Sequence, residues 1–177
     1  MTAETLLLLA IVILLFPLFG FAINIFWGKK LGKISSYIAT TILGIDLILS
    51  AIVMYTKVVV YESEKLIQAK ITWFSLGELS IKVGIGIDNL AAIMLIVVTM
   101  ISFLVHLFSI EYMADDKRYS RYFAYLGLFT FSMLGIVIAN NFLFMYIFWE
   151  LVGISSYLLI GFWYEKDSAA NAGKKAF

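Results

Sequence analysis

The chain has 177 residues, of which 63% are hydrophobic and 14% are charged, and its formal net charge is +1. A soluble domain is nearer half apolar and a quarter charged, so this composition excludes an ordinary soluble protein. It also lacks the basic field that nucleic-acid binding needs. Because the chain has no cysteine and only one histidine, we expect it to hold no metal and no cofactor.

Two long apolar segments, residues 5–27 and 34–55, come first and are separated by a short basic turn at 28–33. A helix needs about 20 apolar residues to cross a bilayer, and each segment is long enough. The first segment is too long for a signal peptide and lacks its basic start. We therefore interpret both as spanning helices, with an expected kink at Pro17.

A more polar stretch, residues 56–87, follows the second span. Residues 71–74 and 81–87 alternate between apolar and other residues with a period of two, and 76–78 between them has the composition of a turn. This pattern predicts a small β-hairpin outside the membrane. Gly84 and Gly86 form a GxG pair, but no third glycine follows at Asn89, so a dinucleotide site is not indicated.

Three further spans are predicted at residues 88–112, 121–139 and 142–164, with a tight corner at Asn140 and Asn141. The mixed tail, residues 165–177, has the composition of the approach to another helix. The predicted fold class is an all-α integral membrane protein. It has about five transmembrane helices and a small extramembrane β-hairpin between the second and the third.

Basic residues are distributed unevenly between the two sets of connecting segments. One set holds nine of them: Lys29, Lys30, Lys33, Lys117, Arg118, Arg121, Lys166, Lys174 and Lys175. The other set holds four, diluted by acidic residues: Lys57, Lys65, Lys70 and Lys82. Since an excess of basic residues marks the cytoplasmic side, we expect the N-terminus outside and the C-terminal end in the cytoplasm.

Two acidic residues, Asp46 and Glu150, lie about midway along predicted spans rather than in loops. A carboxylate there costs about 2.5–3.5 kcal/mol on insertion scales, so it usually faces the bundle or water and has a partner. For Asp46, the nearby hydroxyls of Thr40, Thr41 and Ser50 favour a protonated or hydroxyl-bonded structural residue over a functional one.

Glu150 is the stronger functional candidate. At helical spacing it shares a face with Tyr146, Gly153, Tyr157 and Gly161. Glycines let another helix approach closely, and a buried carboxylate with a movable cationic partner can be driven between its protonation states. We predict that Glu150 takes part in moving ions across the membrane. The alternative is a protonated glutamate that serves helix packing.

Two residues of the third span are singled out as well. His106 lies near its inner end, where a histidine can relay protons because its pKa is close to neutrality. An interfacial hydrogen-bonding role is equally compatible with this position. Asp88, at the start of the span, is predicted to cap the helix.

Several blocks together resemble one family. Residues 148–163, FWELVGISSYLLIGFW, resemble the signature of the large antiporter-like subunit of respiratory complex I, called subunit L or chain 5 of NADH-quinone oxidoreductase. Further similar blocks are GIDNL at 86–90, VHLFSIEYM at 105–113, RYFAYL at 121–126 and AANAGKKAF at 169–177. The resemblance extends over about residues 70–177, while the first two spans agree only in position and character.

The resemblance implies a proton channel built from two inverted five-helix repeats, in which Glu150 matches the key glutamate of the fifth helix. It also implies a lysine partner on a later helix, beyond Phe177, and hence that this chain is the N-terminal part of a longer protein. Residues 1–69 would be a two-helix membrane segment with the start of the outer loop. Residues 70–177 would begin the proton-translocating domain.

The function implied by the resemblance is a proton-translocating subunit of an NADH:quinone oxidoreductase, in the cell (inner) membrane. Other membrane subunits and the bilayer are its expected partners, while quinone and NADH bind elsewhere and nucleic acid is excluded. One alternative is the large subunit of a multisubunit sodium/proton antiporter, which shares the signature, as do plastoquinone- and hydrogenase-linked relatives. A second alternative is a structural membrane scaffold.

Overall fold

The computed structural model describes residues 2–61, 66–76 and 79–176. This part of the chain forms six α-helices and a two-stranded antiparallel sheet. In chain order the elements are α1 (Ala3–Leu31), α2 (Ile34–Met54), β1 (Ile67–Leu76), β2 (Leu79–Ile87), α3 (Asn89–Tyr112), α4 (Tyr119–Ile138), α5 (Phe142–Ile160) and α6 (Asp167–Ala176).

Five of these helices are long and apolar enough to cross a membrane, namely α1, α2 with its continuation, α3, α4 and α5. The predicted fold class is therefore confirmed. One boundary was wrong: the second span does not give way to a loop at residue 56. The helix continues as a π-helical turn, Tyr55–Val60, in which Thr56 and Lys57 are buried. The three valines at 58–60 continue the apolar character of α2 and allow this extension.

Helix starts follow from capping side chains. The Asp88 carboxylate accepts a hydrogen bond of 2.6 Å from the backbone N–H of Ala91, so its predicted role as the N-cap of α3 is confirmed. Asn141 caps α5 in the same way through a 2.8 Å hydrogen bond from the N–H of Phe144. Such caps satisfy donors that have no partner inside the helix.

The predicted hairpin is present and longer than the alternation suggested. Its register pairs Ile67 with Ile87 at the open end and includes an irregularity between Thr72 and Phe74. The predicted turn at 76–78 lies mostly outside the described residues. At Gly84 an added Cβ would collide with the backbone of β1 and the Asn140 side chain, so glycine is required there for close contact.

The helices pack in sequence around one core. Helix α1 contacts both α2 and α4, α2 contacts α3, α3 contacts α4, and α5 packs on α4. Helices α1–α4 thus form a four-helix bundle with α5 added to its side. Helix α5 ends at Ile160 rather than at the predicted residue 164, because the chain turns at Gly161 so that α6 can pack back against it.

Candidate functional site in helix α5

The start of α5 is fixed to the hairpin by the corner at Asn140 and Asn141. The backbone N–H of Asn140 donates to the Gly84 carbonyl at 3.2 Å. The Asn141 side chain donates to the Lys82 carbonyl at 2.9 Å while its oxygen caps α5. These bonds set the axial position of α5 and therefore the depth of Glu150.

Glu150 lies on the face of α5 that points away from α4. The buried face is marked by Phe148, which is 5% exposed and whose ring fills the space that a side chain at Gly135 would occupy. Two residues further on, the helix has turned by about 200°. Glu150 is accordingly exposed, as are its neighbours Tyr146 and Trp149.

A pocket of about 300 Å³ adjoins the Glu150 side chain, and its lining residues are Trp149, Glu150, Val152, Gly153, Ser156 and Ala176. The last of these belongs to α6, which approaches α5 where Gly173 lies against Gly161. The two glycines that the sequence placed on the Glu150 face thus border the pocket and the contact with α6. The pocket therefore leaves open space beside the Glu150 side chain.

Tyr146 is a polar neighbour of Glu150 on α5. It lies one turn earlier, so its hydroxyl is on the same side of the helix as the Glu150 carboxylate. Residues four apart lie on the same face, so this pair follows directly from the helical spacing. A phenol beside a carboxylate can donate a hydrogen bond to it.

The His106 side chain is buried inside the helix bundle. It is 1% exposed, its Nδ1 is 2.8 Å from the Ser102 carbonyl, and its ring is 5.9 Å from the ring of Phe123. Its Nε2 has no partner within the described part of the chain. Next to it, Thr130 of α4 donates to the Ser102 hydroxyl at 3.1 Å.

Asp46 is completely buried, as a residue facing the helix bundle should be. The hydroxyl-bonded arrangement, however, is not observed. Neither carboxylate oxygen has a hydrogen-bond partner in the part of the chain that the structure describes, and the hydroxyls of Thr40 and Ser50 are also without one. These hydroxyls lie six and four residues from Asp46, and the six-residue spacing places Thr40 on a different part of the helix surface.

The structure does not bring Glu150 and His106 together. Helices α3 and α5 make no contact with each other in the described chain, and α4 lies between them. Sequence reasoning also missed Asn24 of α1, which is 2% exposed and whose side-chain nitrogen and oxygen have no hydrogen-bond partner among the described residues. A single amide near the end of an apolar helix gives a weak signal. Among the described residues, no cluster of three histidine, aspartate or glutamate side chains that could hold a metal is present.

The turn after α5 is held against the loop between α3 and α4. The guanidinium of Arg118 donates to both carboxylate oxygens of Glu165, at 2.9 and 3.1 Å, and lies 5.0 Å from the centre of the Phe162 ring. The indole N–H of Trp163 donates to Asp116 at 2.8 Å. This loop contact fixes the far end of α5 and the start of α6.

The contacts of this loop lower the pKa values of the Asp116 and Glu165 carboxyl groups. Partial burial raises the pKa of Asp116, but the hydrogen bonds from Trp163 and from the backbone N–H of Arg118, with the charge of Arg118, hold it below its ordinary 3.8. The pKa of Glu165 is lowered from 4.5 by its own backbone N–H and by Arg118. Both side chains therefore favour the charged form in the folded chain.

Two family matches cover separate parts of the chain. Residues 73–123 match the family described as NADH-ubiquinone oxidoreductase (complex I), chain 5 N-terminus. Residues 139–177, which include Glu150, match the family described as NADH:quinone oxidoreductase/Mrp antiporter, transmembrane region.

Individual relatives agree with these matches. The chain is 43% identical to NAD(P)H-quinone oxidoreductase chain 5 of Synechocystis sp. over 84% of its length and 21% of the relative. It is 41% identical to NADH-quinone oxidoreductase subunit L of Neisseria meningitidis serogroup B over 96% of its length and 25% of the relative. It is 39% identical to F(420)H(2) dehydrogenase subunit L of Methanosarcina mazei over 95% of its length and 24% of the relative.

The fold has a counterpart among solved structures. A chain of the membrane-bound sulfane sulfur reductase, an archaeal respiratory membrane complex, superposes with a TM-score of 0.75 at 21% identity. The match covers 94% of this chain and 33% of that one. The chain thus spans about a fifth to a quarter of the length of the curated relatives cited above.

Proposed function

The chain belongs to the family of antiporter-like membrane subunits that includes chain 5, or subunit L, of NADH-quinone oxidoreductase, and from this premise we propose that it serves proton translocation in such a complex. The observation that carries the proposal is the carboxylate of Glu150. It lies within an apolar spanning helix, faces away from the bundle, and borders a pocket beside α6.

The proposed role of Glu150 is to take up and release a proton as the charge near it changes. A carboxylate well inside the bilayer is costly when it is charged and unpaired. A cation that approaches its pocket therefore favours the ionised form, and its withdrawal favours the protonated form. Tyr146 beside it supplies a hydroxyl that can pass the proton along the helix face.

Redox chemistry in this proposal takes place in other subunits. The relatives are named as subunits of quinone oxidoreductases and of an F(420)H(2) dehydrogenase, and we propose that this chain likewise works beside subunits that bind NADH and quinone. Its proposed role in the complex is to move protons, and the energy reaches it from the redox subunits as conformational or electrostatic work. Its other partners are neighbouring membrane subunits and lipid.

We further propose that the chain resides in the cell (inner) membrane with its N-terminus outside. The turn at 28–33, the α3–α4 loop and the α5–α6 turn then lie in the cytoplasm, together with most of the basic residues. The hairpin and the α4–α5 corner lie on the opposite side. The positive-inside rule supports this orientation.

The experiment that tests this function uses the purified, intact assembly reconstituted into vesicles. NADH and a soluble quinone are added, and proton and sodium uptake are measured side by side. We expect proton uptake that requires both NADH and quinone, and we expect a protonophore to abolish the resulting pH gradient. Sodium efflux driven by an imposed pH gradient, with no response to NADH, would instead identify an antiporter and overturn the proposal.

A further inference from the structure

We propose that a pocket between α1 and the start of α4 binds the phosphate group of an anionic phospholipid. The pocket has a volume of about 350 Å³. Its lining includes Asn24, Ile25, Lys29, Lys117, Ser120 and Arg121. It lies at the end of the bundle opposite the hairpin and is separate from the Glu150 pocket.

Three cations in this pocket are available to an anion. Lys29, Lys117 and Arg121 are exposed, and none of them forms an ion pair within the described chain. A fourth basic residue that lines the pocket, Arg118, is already paired with Glu165. Among the described residues no acidic side chain lines the pocket, so the local charge is positive and suits a phosphate, which lysine and arginine both bind well.

Asn24 supplies an independent indication of a ligand. Its side chain is 2% exposed and lines the pocket, yet neither its amide nitrogen nor its oxygen has a hydrogen-bond partner in the described chain. A buried polar group without a partner is unfavourable by about 1–3 kcal/mol. An amide N–H₂ that donates to a phosphate oxygen removes this penalty.

The pocket is built by a close approach of two helices. A Cβ added at Gly28 of α1 would lie 2.6 Å from the Cβ of Ser120, so only glycine allows this contact. The crossing brings the Ser120 hydroxyl, a further phosphate donor, beside the end of α1. The cations and polar groups of the pocket are therefore held where α1 and α4 pack closely together.

The surroundings favour a lipid over a free phosphate ion. Phe26 and Trp27, at the same end of α1, are 75% and 55% exposed, which is typical of aromatic residues at the membrane–water interface. Ile25, 40% exposed, adds an apolar wall to the pocket. A glycerol backbone and its acyl chains can lie against this surface while the phosphate reaches the cations and Asn24.

The test measures binding of radiolabelled phosphatidylglycerol to the intact, detergent-purified assembly. The double variant Lys29→Gln/Arg121→Gln is compared with Lys30→Gln/Lys33→Gln, which removes the same charge at the same end of the bundle but outside the pocket. Near an anionic lipid surface each lysine or arginine contributes about 1 kcal/mol, or about fivefold in affinity. We expect Lys29→Gln/Arg121→Gln to bind phosphatidylglycerol about 25-fold more weakly at this pocket. We expect Lys30→Gln/Lys33→Gln to change this binding little.

A second variant tests the buried amide without changing charge. Asn24→Leu keeps the branched shape of the side chain but cannot donate, and we expect it to weaken phosphatidylglycerol binding severalfold while phosphatidylcholine binding stays weak throughout. Equal losses in both double variants would show non-specific surface attraction and overturn the proposal. Competition by millimolar inorganic phosphate as effective as that by the lipid would assign the pocket to free phosphate and overturn it too.

Discussion

The Asn141 side-chain amide donates a 2.9 Å hydrogen bond to the Lys82 carbonyl and thereby joins the start of α5 to the second strand of the hairpin. The same side chain caps α5 through the N–H of Phe144. Glu150 lies nine residues later, about 14 Å along the helix at 1.5 Å per residue. Helix α5 is the least buried of the five spanning helices. We therefore expect the contacts at this corner to be important for the position of the Glu150 carboxylate along the helix axis.

Substitutions at Asn141 separate its two bonds. Asn141→Ser keeps a capping oxygen but loses the donor to Lys82, whereas Asn141→Ala loses both. We expect the alanine variant to lower stability by about 1 kcal/mol more than serine does, because loss of a helix cap costs about that much. The midpoint of heat denaturation of the purified assembly measures this. Identical midpoints for the two variants would show that the cap contributes nothing.

The loop contact between Trp163 and Asp116 is expected to depend on pH. The pKa of Asp116 is below its ordinary 3.8 in the folded chain, so the unfolded state binds its proton first as the pH falls. The contribution of the ionised carboxylate is therefore fully present above pH 4 and is lost as the pH falls through the lower, folded-state value. Glu165, lowered for related reasons, acts in the same direction.

Fluorescence of Trp163 reports this transition. Its signal is obtained as the difference between the wild-type assembly and Trp163→Phe, titrated from pH 7 downwards. We expect a single change with a midpoint below the ordinary carboxyl value of 3.8, absent in Asp116→Asn. A midpoint at or above 3.8 would mean that the hydrogen bonds do not stabilise the ionised carboxylate.

Much of the fold could be predicted from the sequence because spanning helices and their caps depend on local patterns. The order of residues alone is enough to recognise the apolar runs, the Asp88 cap and the alternation in the hairpin. The burial of Lys57 was missed because a basic residue after an apolar run is typical of a loop. Whether the helix continues there depends on packing against neighbouring elements, which the pattern does not contain.

The site could be predicted only in part, for a related reason. Helical spacing placed Glu150 with its glycines: in the structure Gly153 lines the Glu150 pocket, and Gly161 contacts α6. The arrangement between helices was not predictable: nothing in the sequence places α4 between α3 and α5. The same holds for Asn24, whose significance depends on Lys117 and Arg121, about a hundred residues away in the chain.

The proposed orientation predicts opposite labelling of two exposed positions. Lys70 lies on the hairpin and Asp115 in the α3–α4 loop, and the chain itself has no cysteine. A membrane-impermeant maleimide applied from outside should label Lys70→Cys at once and Asp115→Cys only after permeabilisation. Labelling of both positions from the same side would contradict the five-span arrangement.

His106 is the remaining candidate relay. If its ring carries protons, His106→Gln should slow proton pumping several-fold even though glutamine can still donate to the Ser102 carbonyl. His106→Ala should slow it at least as much. The measurement is the number of protons pumped per NADH oxidised. Full pumping by an assembled His106→Gln variant would leave hydrogen bonding as the sufficient role of this residue.

The most direct test of the account is proton pumping by a Glu150→Gln variant in reconstituted vesicles, normalised to the amount of assembled complex. Glutamine has nearly the same size and cannot ionise, so we expect normal assembly with pumping reduced at least tenfold. Glu150→Asp should retain part of the activity, and Ser156→Ala, a change in the same pocket, should retain nearly all of it. Normal pumping by assembled Glu150→Gln would show that the residue serves packing alone and would contradict the account.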